Sequence, residues 1–148
     1  MKNISKEIDF FLTKEYLSSS LLPTQKLFEF EHTDGDNSFL ARSVSRNISS
    51  GDFLSLGESE YSDLETNMSY GGFHTTTMDD SFLDSAMKEL RSYCYQQGII
   101  AQLIRFNPLD KSTLKWKKHL DFFELDRKTV NLDSVSYTHL TLPTIYSV

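Results

Sequence analysis

Cysteine, proline and long apolar runs are scarce in this chain. Its 148 residues include one cysteine, Cys94, which excludes an internal disulfide. No stretch reaches the ~20 apolar residues of a membrane-spanning helix, and the first residues, Met1 to Glu7, lack the apolar core of a signal peptide. These absences predict a protein of the cytoplasm with no membrane span.

Positive charge is also in deficit, because 15 Lys and Arg residues stand against 21 Asp and Glu residues and the net charge is -6. This balance excludes a general affinity for nucleic acid, and we expect no DNA partner. One local basic cluster is either a solvated surface or a contact for an anionic ligand; it consists of Lys111, Lys115, Lys117 and Lys118.

The common signatures of catalytic and metal sites are missing as well. The histidines at positions 32, 74, 119 and 139 do not stand at metal-ligand spacing, so no metal site is predicted. Gly71-Gly72 lacks the following Gly-Lys-Ser/Thr of a phosphate loop, and Ser55 is not in a Gly-x-Ser-x-Gly elbow. We interpret His74 as a loop histidine rather than a base, and Cys94 as a core thiol rather than a reactive one.

The composition that is present, 39% hydrophobic and 13% aromatic, is that of one globular domain. Apolar positions from Phe82 to Cys94 form a helical stripe, with Asp79 or Asp80 as N-cap and Gly98 as its end. Alternation and turn residues predict the other elements: a short helix after Thr13, a hairpin with strands 26–31 and 38–48 around Asp34-Gly35, a loop 49–60, a modest strand 61–69, a strand 99–104, a basic loop or short helix 109–119, and strand structure within 122–132.

The order of these elements places one long helix between two strands and adds antiparallel strands. It predicts an α/β (α+β) fold in which a mixed sheet is flanked by helices. The nearly continuous apolar run from Ile99 to Ile104 predicts a buried central strand. Arg42 and Arg46, four residues apart on one strand, are expected to share a face of the sheet.

The last fourteen residues differ from the rest of the chain. Residues 135–148 contain no Asp, Glu, Lys or Arg, and they begin Val-Ser-Tyr-Thr-His-Leu, which resembles the translation of a transposase-type sequencing adapter. We therefore expect residues 1–134 to be a truncated N-terminal domain and residues 135–148 a tail that is not native. The alternative is a native pair of β-strands.

Two short segments are candidates for a binding site. Gly71-Gly72 allows either a structural turn or the close approach of a ligand, and Tyr70 is either a half-buried aromatic or a ligand contact. Arg105 either pairs with a neighbouring carboxylate or donates to a carboxylate or phosphate group of a ligand. Ligands of open α/β sheets bind at the carboxyl ends of strands, where Arg105 and Asn107 are expected.

Taken together, these segments resemble the FemAB-like branch of the GNAT acyltransferases. Members of that group carry an ET-x-YGYGG segment, a helix ending F-x-x-Y/F-C, a strand xxEFIRFHPL and a segment R-x-T-V-x-I-DL. The matching segments follow the same order within residues 8–133: Asp63 to Thr66, Tyr70-Gly71-Gly72, the helix Phe82 to Tyr95, Ile99 to Leu109, and Leu125 to Leu132.

The chain departs from the family pattern at three places. Asn67-Met68-Ser69-Tyr70-Gly71-Gly72 stands where the family has Tyr-Gly-Tyr-Gly-Gly. Gln102 stands where glutamate is common, so the strand carboxylate is missing and no catalytic role is assigned to position 102. Phe73-His74 replaces the usual Pro-Leu after the glycines.

The resemblance implies two tandem GNAT-like lobes and transfer of an acyl or aminoacyl group to an amine. Residues 1–134 would be the N-terminal, FemAB-like lobe, inactive alone and completed by a C-terminal lobe of the same protein. The implied donor is acyl-CoA or aminoacyl-tRNA; the implied acceptor is a cell-envelope precursor such as a peptidoglycan stem peptide, or a sugar amine. The residues expected to line the cleft are Tyr70, Gly71, Gly72, Arg105 and Asn107, with Arg105 as the anchor for an anionic group.

Two other interpretations stay open. One is a non-catalytic GNAT-like module that binds a peptide or a partner, which Gln102 and Phe73-His74 favour. The other is an unrelated mixed α/β domain, which would lack the strand–helix–strand order through residues 61–106.

Overall fold

A five-stranded mixed sheet and one long helix dominate the computed structural model, which describes residues 7–49, 60–66 and 69–126. In the described part, the strands are β1 (Gln25–Asp34), β2 (Asn37–Asn47), β3 (Ser62–Glu65), β4 (Phe73–Thr75) and β5 (Ile99–Leu103), the α-helices are α1 (Lys14–Ser19) and α2 (Asp80–Gln96), and two 3-10 helices cover Phe10–Leu12 and Thr113–Lys118. No helix of these residues is long and apolar enough to cross a membrane.

The hairpin predicted around Asp34-Gly35 forms the first half of the sheet. β1 and β2 pair antiparallel along their whole length, and their ends meet at Asp34 and Asn37. The two-residue turn between them uses a positive φ of 57° at Gly35, which glycine adopts at little steric cost.

The second half of the sheet contains the predicted strand–helix–strand unit. β3 and β4 both pair antiparallel with β2, and the glycine segment lies between them. β3 also pairs parallel with β5, so the strand order is β1-β2-β3-β5 with β4 beside β2. The mixed α+β sheet expected from the sequence is thereby confirmed. The strand–helix–strand order through residues 61–106, which an unrelated mixed α/β domain was expected to lack, is also present.

Helix α2 begins and ends at the predicted residues. The carboxylate of Asp79 accepts a hydrogen bond from the Phe82 amide at 3.0 Å, and Gly98 follows the helix with a φ of 68°. The apolar stripe of α2 packs on one face of the sheet and forms the main core; the buried members are Phe28, Phe39, Ala41, Leu64, Phe73, Phe82, Leu83, Ala86, Met87, Leu90 and Trp116.

The opposite face of the sheet is held by the N-terminal segment. Leu12 and Leu17 are buried there, and the Arg42 guanidinium donates to the Leu12 carbonyl at 3.0 Å. Arg42 and Arg46 share a face, as predicted, and each forms an ion pair with the carboxylate directly across the strand pair, Glu29 and Asp63 respectively. Helices therefore cover both faces of the sheet.

The prediction of a buried central strand at 99–104 is wrong. Ile100 and Leu103 are 61% and 69% exposed, and β5 is the last strand in the order of the described sheet rather than a central one. Residues 122–126, the start of the next predicted strand, form no regular strand. The remainder of that predicted strand, the 135–148 tail and most of the 49–60 loop lie outside the described residues.

The ion pairs of Glu29 predict a pH-dependent contribution to stability. Burial raises the pKa of Glu29, but hydrogen bonds from Lys14 and Arg42 outweigh it and lower the pKa below its usual 4.5. A carboxyl whose pKa is lowered in the folded state stabilises that state above its unfolded pKa, and this stabilisation is lost as the pH falls through the folded pKa.

We therefore expect Glu29→Gln to lower the free energy of unfolding at neutral pH, with the difference from the parent chain closing in acid. Urea unfolding over a pH series measures it. Glu31→Gln is the matched control, because Glu31 is exposed on the same strand. A difference that does not change with pH would contradict the role of these ion pairs.

Candidate substrate-binding site

The two candidate segments lie side by side. The Gly71 amide donates to the Arg105 carbonyl at 2.9 Å, and Gly71 pairs in parallel with Phe106. The contact continues the β3–β5 pairing past the end of β5. Residues more than thirty positions apart in the chain therefore meet at the carboxyl end of a parallel strand, the usual place for a ligand in an open sheet.

Arg105 is exposed, and its side chain is free of carboxylates within the part of the chain that the structure describes. Its amide donates to Thr66 Oγ1 at 2.8 Å, and its guanidinium donates to the Ser69 carbonyl at 3.4 Å. The second contact is long for a hydrogen bond. The ion pair considered from the sequence is not formed here, so most of the guanidinium donors face solvent and can bind an anionic group.

Tyr70 is half-buried and packed against the N-terminal segment. Its ring lies 5.6 Å from the ring of Phe11 in an edge-to-face arrangement, and the hydroxyls of Tyr16 and Ser69 are 2.5 Å apart. These contacts fix the backbone that leads into the glycines. Tyr70 is thus held rigidly while part of its side chain stays accessible.

The space above Gly72 is filled by protein. Gly72 is buried with a φ of 138°, and a Cβ there would lie 2.9 Å from Phe106 Cδ1. A Cβ on Gly71 would lie 3.0 Å from Thr66 Cγ2. Close packing between the two segments therefore accounts for both glycines without a ligand, which favours the structural-turn interpretation.

The side chain of Asn107 holds the turn after β5 in place. Its amide nitrogen donates to the Asp9 carboxylate at 3.1 Å, and its amide oxygen accepts from the Leu109 backbone at 3.0 Å. Both ends of the side chain are engaged, so Asn107 anchors the turn to the N-terminal segment. Of the five candidates, Tyr70 and Arg105 are the two with side chains that a ligand can reach.

A groove of about 1510 Å³ starts beside these two residues. It runs between β5, the C-terminal half of α2 and residues 120–126, and Ser69, Tyr70 and Arg105 line it. Gly71, Gly72 and Asn107 do not. Sequence reasoning missed the 120–126 wall because its apolar residues, Phe122 and Leu125, were assigned to a strand.

Gln102 lies in this groove but is tied to the sheet. Its amide nitrogen donates to Ser43 Oγ at 3.1 Å, and Ser43 is buried. The Gln102 side chain therefore makes an interstrand tether. An amide does not ionise, so position 102 carries no acid–base chemistry here.

The interpretation of His74 as a loop histidine is wrong, because His74 lies in β4 and pairs with Leu40 of β2. Burial lowers the pKa of this half-buried histidine, and buried His119 contacts the Asp84 carboxylate at 2.8 Å. Among the described residues no group of His, Cys, Asp or Glu could hold a metal ion.

The basic cluster borders a second pocket of about 680 Å³ at the start of α2, lined by Lys115, Lys117 and Lys118. Lys118 pairs with Asp80 there, and this hydrogen bond lowers the pKa of Asp80. The helix N-terminus is further occupied by the capping carboxylate of Asp79. The N-terminus of α2 is therefore a poor binding site for an anion, because Asp79 and Asp80 already place negative charge there.

No family model, no curated protein and no solved structure matches this chain.

Because Phe106 packs closely over Gly72, one methyl group added at position 72 is predicted to lower the stability of the fold strongly. We expect Gly72→Ala to lower the free energy of unfolding by about 2 kcal/mol, because the new Cβ adds backbone strain and a clash. Gly35→Ala is the control: it has a positive φ but no atom within 4 Å of the added Cβ, so it should lose about 1 kcal/mol. Chemical denaturation measures both, and equal losses would contradict the close packing.

Cys94, on the groove wall, should react slowly with thiol reagents in the folded protein. Burial raises the pKa of its thiol to about 11, and the thiolate is the reactive form. Iodoacetamide alkylation followed by mass spectrometry should be slow without denaturant and fast in denaturant. Equal rates would show that Cys94 is not protected.

Proposed function

We propose that this chain forms one wall of the cleft of a FemAB-like GNAT transferase, which moves an acyl or aminoacyl group to an amine of a cell-envelope or surface-polysaccharide precursor. The observation that carries the proposal is the placement of Arg105 beside the Tyr70-Gly71 backbone, at the carboxyl end of a strand that is parallel to β3. The order of matching segments along the sequence supports it.

Arg105 is the anchor of the proposed site. Its guanidinium is exposed and free of carboxylates in the described part, at one end of the groove. A planar guanidinium binds a carboxylate or phosphate through two parallel hydrogen bonds, which orients the bound molecule as well as holding it. The anchored end of the acceptor fixes where its amine lies.

Acyl transfer in such a cleft depends on position and on charge stabilisation. A cleft that holds the amine within van der Waals distance of the acyl carbon replaces a bimolecular encounter by a reaction within one complex. Hydrogen-bond donors directed at the oxyanion stabilise the tetrahedral intermediate. The rigidly packed Tyr70 segment is suited to positioning, since Phe11 and Tyr16 hold it from behind. We assign it to acceptor positioning.

The donor is proposed to bind mainly to another part of the protein. Acyl-CoA and aminoacyl-tRNA carry phosphates, whereas the N-terminus of α2 carries Asp79 and Asp80. The proposed C-terminal lobe would supply the donor contacts.

A non-catalytic binding module is the second candidate, and one observation favours it. Gln102 is engaged with Ser43 where the family pattern has a carboxylate. In a binding module the groove and Arg105 would hold a peptide without turning it over.

Arg105→Ala in the complete gene product tests the proposal. With acyl-CoA and aminoacyl-tRNA as donors and stem peptides or amino sugars as acceptors, we expect kcat/KM to fall about 10- to 100-fold through loss of a charged hydrogen bond. Lys111→Ala, an exposed cation outside the groove, is the matched control.

Unchanged kcat and KM in Arg105→Ala would remove Arg105 from the site. No turnover with any donor, together with saturable acceptor binding by the parent protein, would establish the binding module instead.

A further inference from the structure

The groove runs along an open edge of the sheet. The Leu103 and Arg105 carbonyls accept from Thr66 and Gly71, so their backbone groups point toward β3 and the glycine turn. Alternate residues of a strand point their backbone groups to opposite edges, which directs those of Gln102 and Ile104 outward. Within residues 7–49, 60–66 and 69–126, no strand pairs with that outer edge.

The outer edge of β5 lacks the features that prevent an edge strand from pairing with a strand of another chain. Residues 99–104 contain no charged residue and no proline, whereas the opposite edge strand β1 carries Lys26, Glu29 and Glu31. Charges and prolines are the usual protection of an edge strand against pairing with another chain. The two edges therefore differ in kind: β1 is protected and β5 is suited to pairing.

The groove also has the size and lining of a polypeptide site. Its volume of about 1510 Å³ exceeds the roughly 300–1,000 Å³ of small-molecule pockets. Several large apolar side chains are exposed in it, which is uncommon on a surface that stays in water; they are Tyr95, Ile100, Leu103, Phe122 and Leu125.

We propose that the occupant is a second copy of this chain, whose β5 pairs antiparallel with β5 of the first about a two-fold axis. A two-fold interface must be complementary to itself. The groove rim carries Arg105 and Glu124, which are of opposite sign, beside Arg91 and Asp121, which pair with each other within the chain, while the strand at the axis is uncharged.

The pairing has a consequence for the candidate site. Because Tyr70 and Arg105 line the same groove, the second copy would form part of the wall opposite them. The proposal itself rests on the β5 edge and stands whether or not the chain belongs to a transferase.

Sedimentation of the full chain at increasing concentration tests the pairing. We expect a reversible monomer–dimer equilibrium, and we expect Ile100→Lys to weaken it about tenfold or more by placing a charge at the interface. Leu22→Lys is the matched control, because Leu22 is 60% exposed against 61% for Ile100 and lies outside the groove. Both positions are exposed, so both variants should fold.

Hydrogen exchange identifies which edge is used. In the dimer, the Gln102 and Ile104 amides should become protected as concentration rises, and Ile100→Lys should remove that protection. A chain that stays monomeric would overturn the proposal, whether those amides are protected by other residues of the same chain or exchange freely. A dimer that Ile100→Lys leaves intact would place the interface elsewhere and overturn it too.

Discussion

The packing of α2 across the sheet is the contact on which the rest of the structure depends. Two parallel strands cannot be joined by a tight turn and need a crossover element. Here α2 is that element, and its buried stripe, from Phe82 to Leu90, fixes where β5 lies against β3. The position of Arg105 beside Gly71 follows from this packing, since Arg105 is two residues beyond β5.

The elements that the sequence predicted well are those encoded by local interactions. The Asp34-Gly35 turn, the Asp79 cap and the Gly98 stop each act within a few residues, and all three are found in the structure. The exposure of β5 and the groove wall at 120–126 depend on which distant segments meet. Apolarity alone does not distinguish a central strand from an edge strand that is left uncovered, and this ambiguity explains the wrong prediction for Ile100 and Leu103.

In the candidate site too, the sequence predicted the residues of each segment but not their contacts with distant residues. Sequence reasoning selected five residues, and the fold brings their two segments together. It also separates their roles: Gly72 makes room for Phe106, and Asn107 holds Asp9. Nothing in the sequence marked Phe106 or Asp9 as the partners, because the contacts depend on side chains far apart along the chain.

The Asp9–Asn107 hydrogen bond joins residues 98 positions apart, and this separation has a consequence for the order of folding. Contacts of such long range form late, because a large loop must close before they contribute. During synthesis the β1–β2 hairpin is complete long before Asn107 leaves the ribosome, and the N-terminal segment can already contact it through Arg42 and Glu29, with the Asp9–Asn107 hydrogen bond added afterwards. The face of the nascent sheet that α2 later covers is therefore expected to stay exposed to chaperones until that helix has been made.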